Sequence, residues 1–319
     1  MWTPKFNPST DLQDLSGKVV VVSGANQGIG YATVKHLARK GAKVYLGSRN
    51  EEKGRNAVAK LLEEGIGSGD VVYFACDLST PLAAKNSAEG FLKVEERLDA
   101  LVNNAACIFD YENQASEDGI TQMMLVNHFG TFQFTKSLLP LLIKTAEDPT
   151  NDVRVVTVGS EQHRNALLGP NAKTAFKNLD ECKNMYSNDR MATLSRYALS
   201  KLANLLFSNT LHRKLSPHNI ICICPHPGVV ATTTFTSHLP FSRVIQFVFA
   251  LLFRGPDEGA YNSCWAAAAP EVRLEVEKYG GAYVAPVGSV VEQAPNAMDV
   301  QMQDDLWEMT ERYLEGLGL

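Results

Sequence analysis

The sequence predicts an α/β fold: a single doubly wound parallel sheet with helices on both faces and an irregular C-terminal lid. Three observations predict it. Short runs of Val, Ile and Leu alternate with longer helical stretches, which is the pattern of repeated βαβ units. The short runs are almost wholly apolar, as in parallel strands buried on both faces. The first run passes directly into a glycine-rich turn and a helix.

The predicted elements alternate along most of the chain. Strands are expected at residues 18–22, 43–46, 71–76, 98–102, 153–158 and 220–224. Helices are expected at residues 31–40, 51–64, 87–96 and 197–213, with a long apolar helix around Asn127. We expect residues 1–16 to form a polar arm and residues 17–319 a single domain, with a lid at about 237–256.

Composition excludes some classes of protein. The chain has 319 residues, of which 45% are hydrophobic and 20% charged, so the composition is globular rather than disordered. A net charge of −5 argues against a general nucleic-acid binder, which needs a basic surface. A local basic site for a phosphate group stays compatible with this charge.

The cysteines and the apolar segments indicate where in the cell the protein is expected. None of the six cysteines has zinc-ligand spacing, so we expect reduced thiols, no metal and a cytoplasmic protein. The sequence shows neither a signal-peptide core nor an apolar run of about 18 residues. The apolar stretch 241–253 contains Arg243 and Gln246. We predict that it covers an apolar site, although peripheral contact with a membrane stays open.

A glycine-rich turn joins the first predicted strand to the first helix. Glycines let the backbone approach a pyrophosphate closely, and a helix N-terminus offers unpaired N–H groups. A glycine triplet is a weak signal alone but a good one in this position, so we predict a dinucleotide site. The alternative is an ordinary glycine-rich connection. The turn contains Ser23, Gly24, Ala25, Asn26, Gln27, Gly28, Ile29 and Gly30.

The ends of the second and third strands indicate which dinucleotide binds. In NAD-binding folds an acid about 20 residues past the turn usually holds the ribose 2′-hydroxyl. Here Arg49 stands at the strand end, which suits a 2′-phosphate and favours NADP(H) over NAD(H). The alternative is that Arg49 is a solvated surface residue and that Glu51 or Glu52 serves the ribose. Asp77 is placed to bind an adenine amino group, with Leu78 beside it.

Tyr197 and Lys201 lie four residues apart near the start of a predicted helix. Residues with this spacing share a helix face, so the ammonium and the phenol can face one site. A nearby cation favours the phenolate, which predicts a lowered pKa for Tyr197 and a role as acid/base. Alone, the pair is common by chance and usually marks a helix surface, so its meaning depends on the other motifs.

Further polar residues are expected at the carboxyl ends of strands, where doubly wound folds build their sites. Ser160 follows the fifth strand and is suited to hold a substrate oxygen, and Asn104 follows the fourth, where a cofactor would cross. Asn127 interrupts an apolar helix, so it is either a satisfied core amide or a member of a proton relay. The rigid segment 225–232 suits a nicotinamide carboxamide.

In this order, the segments resemble the short-chain dehydrogenase/reductase family over roughly residues 17–232. Within that family, the sequence is most similar to the retinol dehydrogenase and WW-domain oxidoreductase branch. The resemblance implies a Rossmann-like fold. It rests on the glycine turn and on Asn-Asn-Ala-Ala at 103–106, Asn127, Ser160, Tyr197-Ala-Leu-Ser-Lys201 and Pro227-Gly228.

The resemblance implies a role for each matched residue. Tyr197 would donate or accept the proton, and Lys201 would lower its pKa and bind the nicotinamide ribose. Ser160 would orient the carbonyl, and Asn127 would relay protons through water. Cofactor contacts are further implied for Ile29, Asn104, Pro227, Gly228, Val230 and Thr232.

The sequence departs from the family pattern at three places. Ser23 replaces the usual Thr and keeps a hydroxyl, whereas Ala106 replaces Gly and adds a methyl near the cofactor. Ser160 and Tyr197 are 37 residues apart, a gap wider than the family's common one. We expect the inserted segment 162–194 to form a flap over the site.

These observations predict an NADP(H)-dependent oxidoreductase that interconverts a carbonyl and an alcohol on an apolar small molecule by hydride transfer. Retinoids, steroids, aldehydes and terpenoid or polyketide intermediates all suit such a site, and the family resemblance leaves a homodimer open. The first alternative is a non-catalytic NADP(H)-binding sensor or interaction protein on the same fold. The second, a redox-neutral epimerase or dehydratase, is disfavoured because such relatives usually have a differently spaced glycine turn.

Overall fold

The computed structural model describes residues 6–108, 116–167, 173–183, 190–228 and 255–319. Within these ranges the strands form one eight-stranded sheet. The strands are β1 Val19–Val22, β2 Lys43–Ser48, β3 Asp70–Ala75, β4 Ala100–Asn103, β5 Val153–Thr157, β6 Ile220–Pro225, β7 Tyr283–Ala285 and β8 Ser289–Val290.

The strand order is β3-β2-β1-β4-β5-β6-β7-β8. Neighbours from β3 through β7 pair in parallel, and β8 is antiparallel to β7. The chain winds outward from β1 to β3 and then returns to the other side of β1, so the topological switch point lies between β1 and β4. Ligands bind at such a point in doubly wound sheets. The predicted Rossmann-like fold is therefore confirmed.

Helices pack on both faces of this sheet. They are α1 Pro8–Asp11, α2 Gly28–Arg39, α3 Glu51–Glu64, α4 Pro81–Leu92, α5 Gln122–Met124, α6 Thr131–Ala146, α7 Arg190–Leu215, α8 Pro256–Gly259, α9 Tyr261–Ala268, α10 Pro270–Leu274, α11 Val276–Tyr279, α12 Pro295–Met298 and α13 Val300–Gly316. A π-helix spans Leu125–Gly130, and 3-10 helices span Glu161–Asn165, Leu179–Cys182 and Ser216–His218.

β1 shows how the sheet is buried on both sides. Val20 and Val22 belong to the core cluster on one face, and Val19 and Val21 to the cluster on the other. Successive side chains of a strand point to opposite faces, so an all-valine strand covers both. The apolar runs in the sequence are therefore accounted for by burial under helices on each face.

Helix starts follow from capping side chains. The Asn50 side chain accepts the Lys53 N–H at 2.8 Å and caps α3, whose predicted bounds are confirmed. The Thr80 hydroxyl accepts the Ala83 N–H at 3.1 Å and caps α4. Because Pro81 takes the first helical position, α4 begins there and not at residue 87 as predicted.

The long helix predicted around Asn127 is interrupted by the π-helix Leu125–Gly130. A Cβ on Gly130 would lie 2.2 Å from the Leu78 carbonyl oxygen, so this segment packs directly on the chain that follows β3. Single π-helical turns inside α-helices occur frequently at functional sites. The irregularity places Asn127 beside the carboxyl ends of the strands.

The described part of the N-terminal arm lies against the domain. Leu12 and Leu15 are buried, and the Gln13 N–H donates to the Ala268 carbonyl at 3.3 Å. Of the predicted lid, only residues 255–256 are described, at the start of α8, and the apolar stretch inside the lid lies outside the described residues.

Two further observations concern the cysteines and the length of the helices. All six cysteines are free thiols, as the sequence predicted, and five of them are buried. Across the described ranges, no helix is both long and apolar enough to cross a lipid bilayer.

Candidate active site

The glycine turn after β1 packs against the chain that follows β4. Gly24 has a φ of +62°, and a Cβ there would lie 2.7 Å from the Ala105 Cα. A Cβ on Gly30 would lie 2.5 Å from the Asn104 Nδ2. That amide donates to the carbonyls of Ser23 and Gly24, at 2.9 and 3.1 Å. Side chains larger than hydrogen cannot fit at either glycine, so the turn and Asn104 form one rigid cradle.

The first turn of α2 opens away from this contact. Gly28 is its first residue, and a Cβ there would meet no heavy atom within 4 Å. No described side chain caps the helix, so its first N–H groups are left for a ligand anion. Asn26 and Gln27 line a groove of about 650 Å³ beside Gly28, and Ile29 is half-buried. This cradle fits the pyrophosphate of a dinucleotide.

The end of β2 presents a cation. Arg49 is exposed and makes no hydrogen bond or ion pair with any residue the structure describes. Glu51 is instead bound to Arg55, with 2.8 Å between the carboxylate Oε1 and the guanidinium Nε. Arg49 is therefore an exposed cation at this edge with no described partner.

The end of β3 lies beside the end of β2. The Asp77 carboxylate accepts the Ser79 N–H at 2.9 Å, and the Asp77 N–H donates to the Ser87 hydroxyl at 3.0 Å. Asp77 is half-buried, so part of the carboxylate stays accessible. Leu78 is 4% exposed and contributes mainly to packing.

Ser160, Tyr197 and Lys201 come together beyond the carboxyl end of β5. Tyr197 and Lys201 share a face of α7, and the ammonium lies 5.7 Å from the centre of the phenol ring. The Lys201 Nζ donates to the Val158 carbonyl at 2.9 Å. The Ser160 hydroxyl is near enough to the phenol to influence its titration. Three of the four predicted catalytic residues are thus brought into one site.

Burial dominates the titration of the two ionisable groups. It raises the pKa of Tyr197 to about 12, and the Ser160 hydroxyl offsets only part of that rise. It lowers the pKa of Lys201 to about 8. The direction for Tyr197 is opposite to the lowering expected from Lys201, because loss of hydration disfavours the phenolate more than its neighbours stabilise it.

Asn127 is fully buried, and its amide is engaged on both sides. Its Oδ1 accepts the Cys107 N–H at 2.6 Å, and its Nδ2 donates to the Cys107 carbonyl and the Ser200 hydroxyl, both at 2.9 Å. The Ser200 hydroxyl in turn donates to the Tyr197 carbonyl at 2.8 Å. Of the two sequence-based alternatives, these contacts are those of a satisfied buried amide that ties the chain after β4 to α7.

The loop after β6 is described only at its start. The His226 N–H donates to a backbone carbonyl of β7 at 2.8 Å, which directs the chain to half-buried Pro227 and Gly228. The predicted cofactor residues Val230 and Thr232 lie outside the described residues.

The inserted segment 162–194 was expected to form a flap. In one of its described parts, residues 173–183, Phe176 and Cys182 are buried, and the Cys182 carbonyl accepts the Thr121 N–H at 3.3 Å. Because these side chains reach a core cluster, this part of the insertion is a packed layer beside the site.

Sequence reasoning missed the polar residues that surround Ser160. Glu161 accepts a hydrogen bond from the Tyr283 hydroxyl at 3.1 Å, and the His163 Nδ1 lies 2.7 Å from the Ser160 carbonyl oxygen. A histidine three residues past the serine, one 3-10 turn away, was a usable signal. Tyr283 had none, because it comes from β7, a three-residue strand far along the chain.

Comparison with known proteins agrees with this geometry. A family model described as short chain dehydrogenase matches residues 18–175. The chain is 40% identical over 317 residues to a short-chain dehydrogenase/reductase of Armillaria gallica, covering 98% of this chain and 97% of that protein. It is 35% identical to the WW domain-containing oxidoreductase of Gallus gallus, covering 96% of this chain and 70% of that protein.

A solved structure shows the same architecture. A protein from Mycobacterium paratuberculosis superimposes with a TM-score of 0.69 at 26% identity, covering 98% of this chain and 97% of the other. Similarity that extends along nearly the whole chain, in sequence and in structure, confirms the resemblance drawn from the motifs. The chain belongs to the short-chain dehydrogenase/reductase family, in a retinol dehydrogenase-like branch.

Proposed function

We propose that this oxidoreductase uses NADP(H) to interconvert a carbonyl and an alcohol on an apolar small molecule. One observation carries the proposal: Ser160, Tyr197 and Lys201 lie together beyond β5 in the sheet that also holds the glycine cradle. A hydroxyl, a phenol and an amine around one point can hold and protonate a substrate oxygen.

Tyr197 is the acid/base in this proposal. Because its pKa is raised to about 12, the phenol carries its proton at neutral pH and can give it to a carbonyl oxygen. The Ser160 hydroxyl holds that oxygen beside the phenol. A bound nicotinamide supplies or accepts the hydride.

Lys201 stabilises the charge left on Tyr197. Its pKa of about 8 keeps most of the amine protonated at neutral pH, although the side chain is only 3% exposed. A buried ammonium stabilises a nearby phenolate more strongly than an exposed one, because the surroundings screen it less. In this way the pair lowers the free energy of the state in which Tyr197 has given up its proton.

The preference for NADP(H) rests on Arg49. An exposed guanidinium without a described partner, at the end of β2, supports binding of a 2′-phosphate. Replacement of Arg49 by Ala should weaken NADPH binding about 10- to 100-fold, the value of a charge-assisted hydrogen bond, and leave NADH binding unchanged.

Fluorescence titration and thermal shift with both dinucleotides measure this preference. Arg55→Ala is the matched control, because Arg55 is exposed on α3 and bound to Glu51. If NADH stabilises the unmodified protein far more than NADPH does, the assignment of Arg49 is wrong.

An apolar substrate is supported by a leucine close to the acid/base. Leu194 is 43% exposed and precedes Tyr197 by three residues on α7, so the two share a helix face. An exposed leucine beside a polar site favours a ligand with apolar surface. We propose a retinoid, steroid, aldehyde, or terpenoid or polyketide intermediate as the class.

Tyr197→Phe tests the chemistry. Loss of the hydroxyl should lower kcat by at least about 100-fold, the usual contribution of a general acid, while the Kd for NADPH changes by no more than about twofold. Turnover is followed at the nicotinamide absorbance with a panel of apolar aldehydes and ketones. Tyr313→Phe is the control, because that hydroxyl contacts Asp118 on the surface. Unchanged turnover in Tyr197→Phe would rule out this mechanism.

A further inference from the structure

The turn that carries Ser160 is held by a buried histidine. His163 is 1% exposed and lies in the 3-10 helix Glu161–Asn165, which begins directly after Ser160. Its Nδ1 is 2.7 Å from the Ser160 carbonyl oxygen, and its Nε2 is 3.3 Å from the backbone nitrogen of Ala294. One imidazole therefore bridges the serine to a segment 131 residues further along the chain.

The two backbone partners determine the tautomer of His163. A carbonyl oxygen only accepts hydrogen bonds, so the Nδ1 must carry the proton that faces Ser160. A backbone N–H only donates, so the Nε2 must be unprotonated where it faces Ala294. Both bonds exist together only in the neutral ring with its proton on Nδ1.

Two further contacts tie the same 3-10 helix to the C-terminal region. The Glu161 carboxylate accepts from the Tyr283 hydroxyl at 3.1 Å, and the Arg164 guanidinium donates to the carbonyl of Glu292. The rings of His163 and Tyr283 meet edge to face with centroids 4.7 Å apart. Thus the position of Ser160 depends on residues outside the part of the chain that carries the family motifs.

The charged groups around His163 come from several elements. Glu161 and Arg164 flank it on its own helix, and Arg164 also pairs with Glu161 at 2.8 Å. β7 contributes Tyr283, and the His226 ring stacks on that of Tyr283 at 6.3 Å between centroids. α7, which packs against the 3-10 helix, carries Arg196, Tyr197 and Lys201.

Burial is the largest influence on this ring. It lowers the pKa of His163, and the bond to the Ser160 carbonyl opposes the change only in part. The neutral form that the bridge requires is therefore the form present at neutral pH. Protonation would place a second N–H against the Ala294 N–H and break that end of the bridge.

We propose that His163 is a positioning residue for Ser160: its neutral ring bridges the serine carbonyl to the Ala294 amide and fixes where the serine hydroxyl points. The proposal rests on the proposed catalytic role of Ser160. The proposal makes two predictions about replacing His163 by a residue with an amide side chain. Such a side chain can make the same two hydrogen bonds as the neutral ring, but it is not protonated in the pH range where histidine is.

The test compares His163→Leu with His163→Gln. Leucine removes both bonds, and the resulting misplacement of the serine should lower kcat about 10- to 100-fold while the Kd for NADPH stays within about twofold. Glutamine offers an N–H to the Ser160 carbonyl and an oxygen to the Ala294 N–H. It should restore kcat to within a few-fold of the unmodified enzyme.

A pH profile of kcat provides the second readout. The unmodified enzyme should lose kcat at acid pH as His163 is protonated, whereas His163→Gln should keep its kcat there. His212→Gln is the matched control, because His212 is a half-buried histidine near the far end of α7. It should retain both the kcat and the acid loss of the unmodified enzyme.

Failure of the inference is distinguishable from failure of the proposed function. If Ser160→Ala and Tyr197→Phe keep full turnover, the proposed function fails. If those variants are inactive but His163→Leu is fully active, or His163→Gln is no better than leucine, the positioning role is overturned. If the leucine variant does not fold, the pH profiles of kcat decide. Superimposable profiles for His163→Gln and the unmodified enzyme overturn the positioning role. A loss of kcat at acid pH that is seen in the unmodified enzyme but not in His163→Gln supports it.

Discussion

At the scale of single residues, Asn127 shows how one amide assembles a site. Its side chain satisfies both backbone groups of Cys107 and reaches Ser200, which bonds the carbonyl of Tyr197. Asn127 and Ser200 are fully buried, so their polar groups need these bonds to offset the cost of burial. Tyr197, the proposed acid/base, is thereby connected to the chain after β4 through neutral hydrogen bonds alone.

Asn127→Ala should therefore destabilise the fold as well as the site. The change leaves the two Cys107 backbone groups and the Ser200 hydroxyl without this partner, at a cost of about 1–3 kcal/mol in the free energy of unfolding. Urea denaturation measures the loss, and kcat should fall with it because α7 is less firmly held. Asn56→Ala, an exposed change on α3, should stay within about 0.5 kcal/mol. An Asn127 variant as stable as that control would show that the amide does not support the site.

The side chains proposed as catalytic were predictable from sequence, but their surroundings were not. Ser160 and the pair Tyr197 and Lys201 were found because strand ends and helical spacing fix such positions. The pKa of Tyr197 is raised and not lowered as predicted, because its direction depends on burial, which residue spacing does not reveal. His163 and Tyr283 escaped for a related reason, since their partners are distant in sequence.

At the scale of elements, the start of β5 is tied to the C-terminal helices by a buried arginine. Arg154 is fully buried, and its guanidinium donates to the carbonyls of Ala266 and Ala269, at 3.0 and 2.8 Å. It also pairs with Asp152, which Arg273 approaches from the other side at 2.9 Å. Although burial pushes the pKa of Asp152 upward, the two guanidinium groups hold it below its ordinary value.

Arg154→Met should be among the more damaging substitutions away from the site. It removes the Arg154 donor from the Ala266 and Ala269 carbonyls, of which the Ala269 carbonyl keeps the Val272 N–H, and it removes a cation from Asp152. Breaking one side of a buried pair costs about 3–5 kcal/mol. Chemical denaturation measures this change in the free energy of unfolding. The control is Arg55→Met, where both partners are exposed and an effect below about 1 kcal/mol is expected. Equal effects in the two variants would contradict the structural role of Arg154.

The central strands were predictable because burial on both faces demands nearly continuous apolar residues. Arg154 did not disturb that pattern, since a single polar residue in a Val-rich run still indicates a strand. β7 and β8 were missed because three and two residues are too few to show any period. The π-helix was missed as well, because six residues are too few to distinguish its period from that of an α-helix.

At the scale of the whole molecule, buried imidazoles make stability depend on pH. Burial lowers the pKa of His128 to about 3 and also lowers the pKa values of His163 and His212. His128 lies among aromatic rings and bonds the Thr310 hydroxyl at 2.7 Å, which ties the π-helix to α13. Protonation of His128 would place a charge in this buried position, which disfavours the folded state.

The free energy of unfolding should consequently fall as the pH drops below about 6.5, the ordinary pKa of histidine. The unfolded chain binds protons at these sites before the folded protein does, so acid favours unfolding. Each such group contributes a slope of up to about 1.4 kcal/mol per pH unit.

His128→Phe removes one titrating group and should reduce the slope by about that amount when denaturation is measured between about pH 5 and 7, above the range where carboxyl groups titrate. His218→Gln, an exposed change, should leave the slope unaltered. Parallel curves for His128→Phe and the unmodified protein would mean that the ring binds its proton over the same pH range in the fold as in the unfolded chain, and that burial does not lower its pKa.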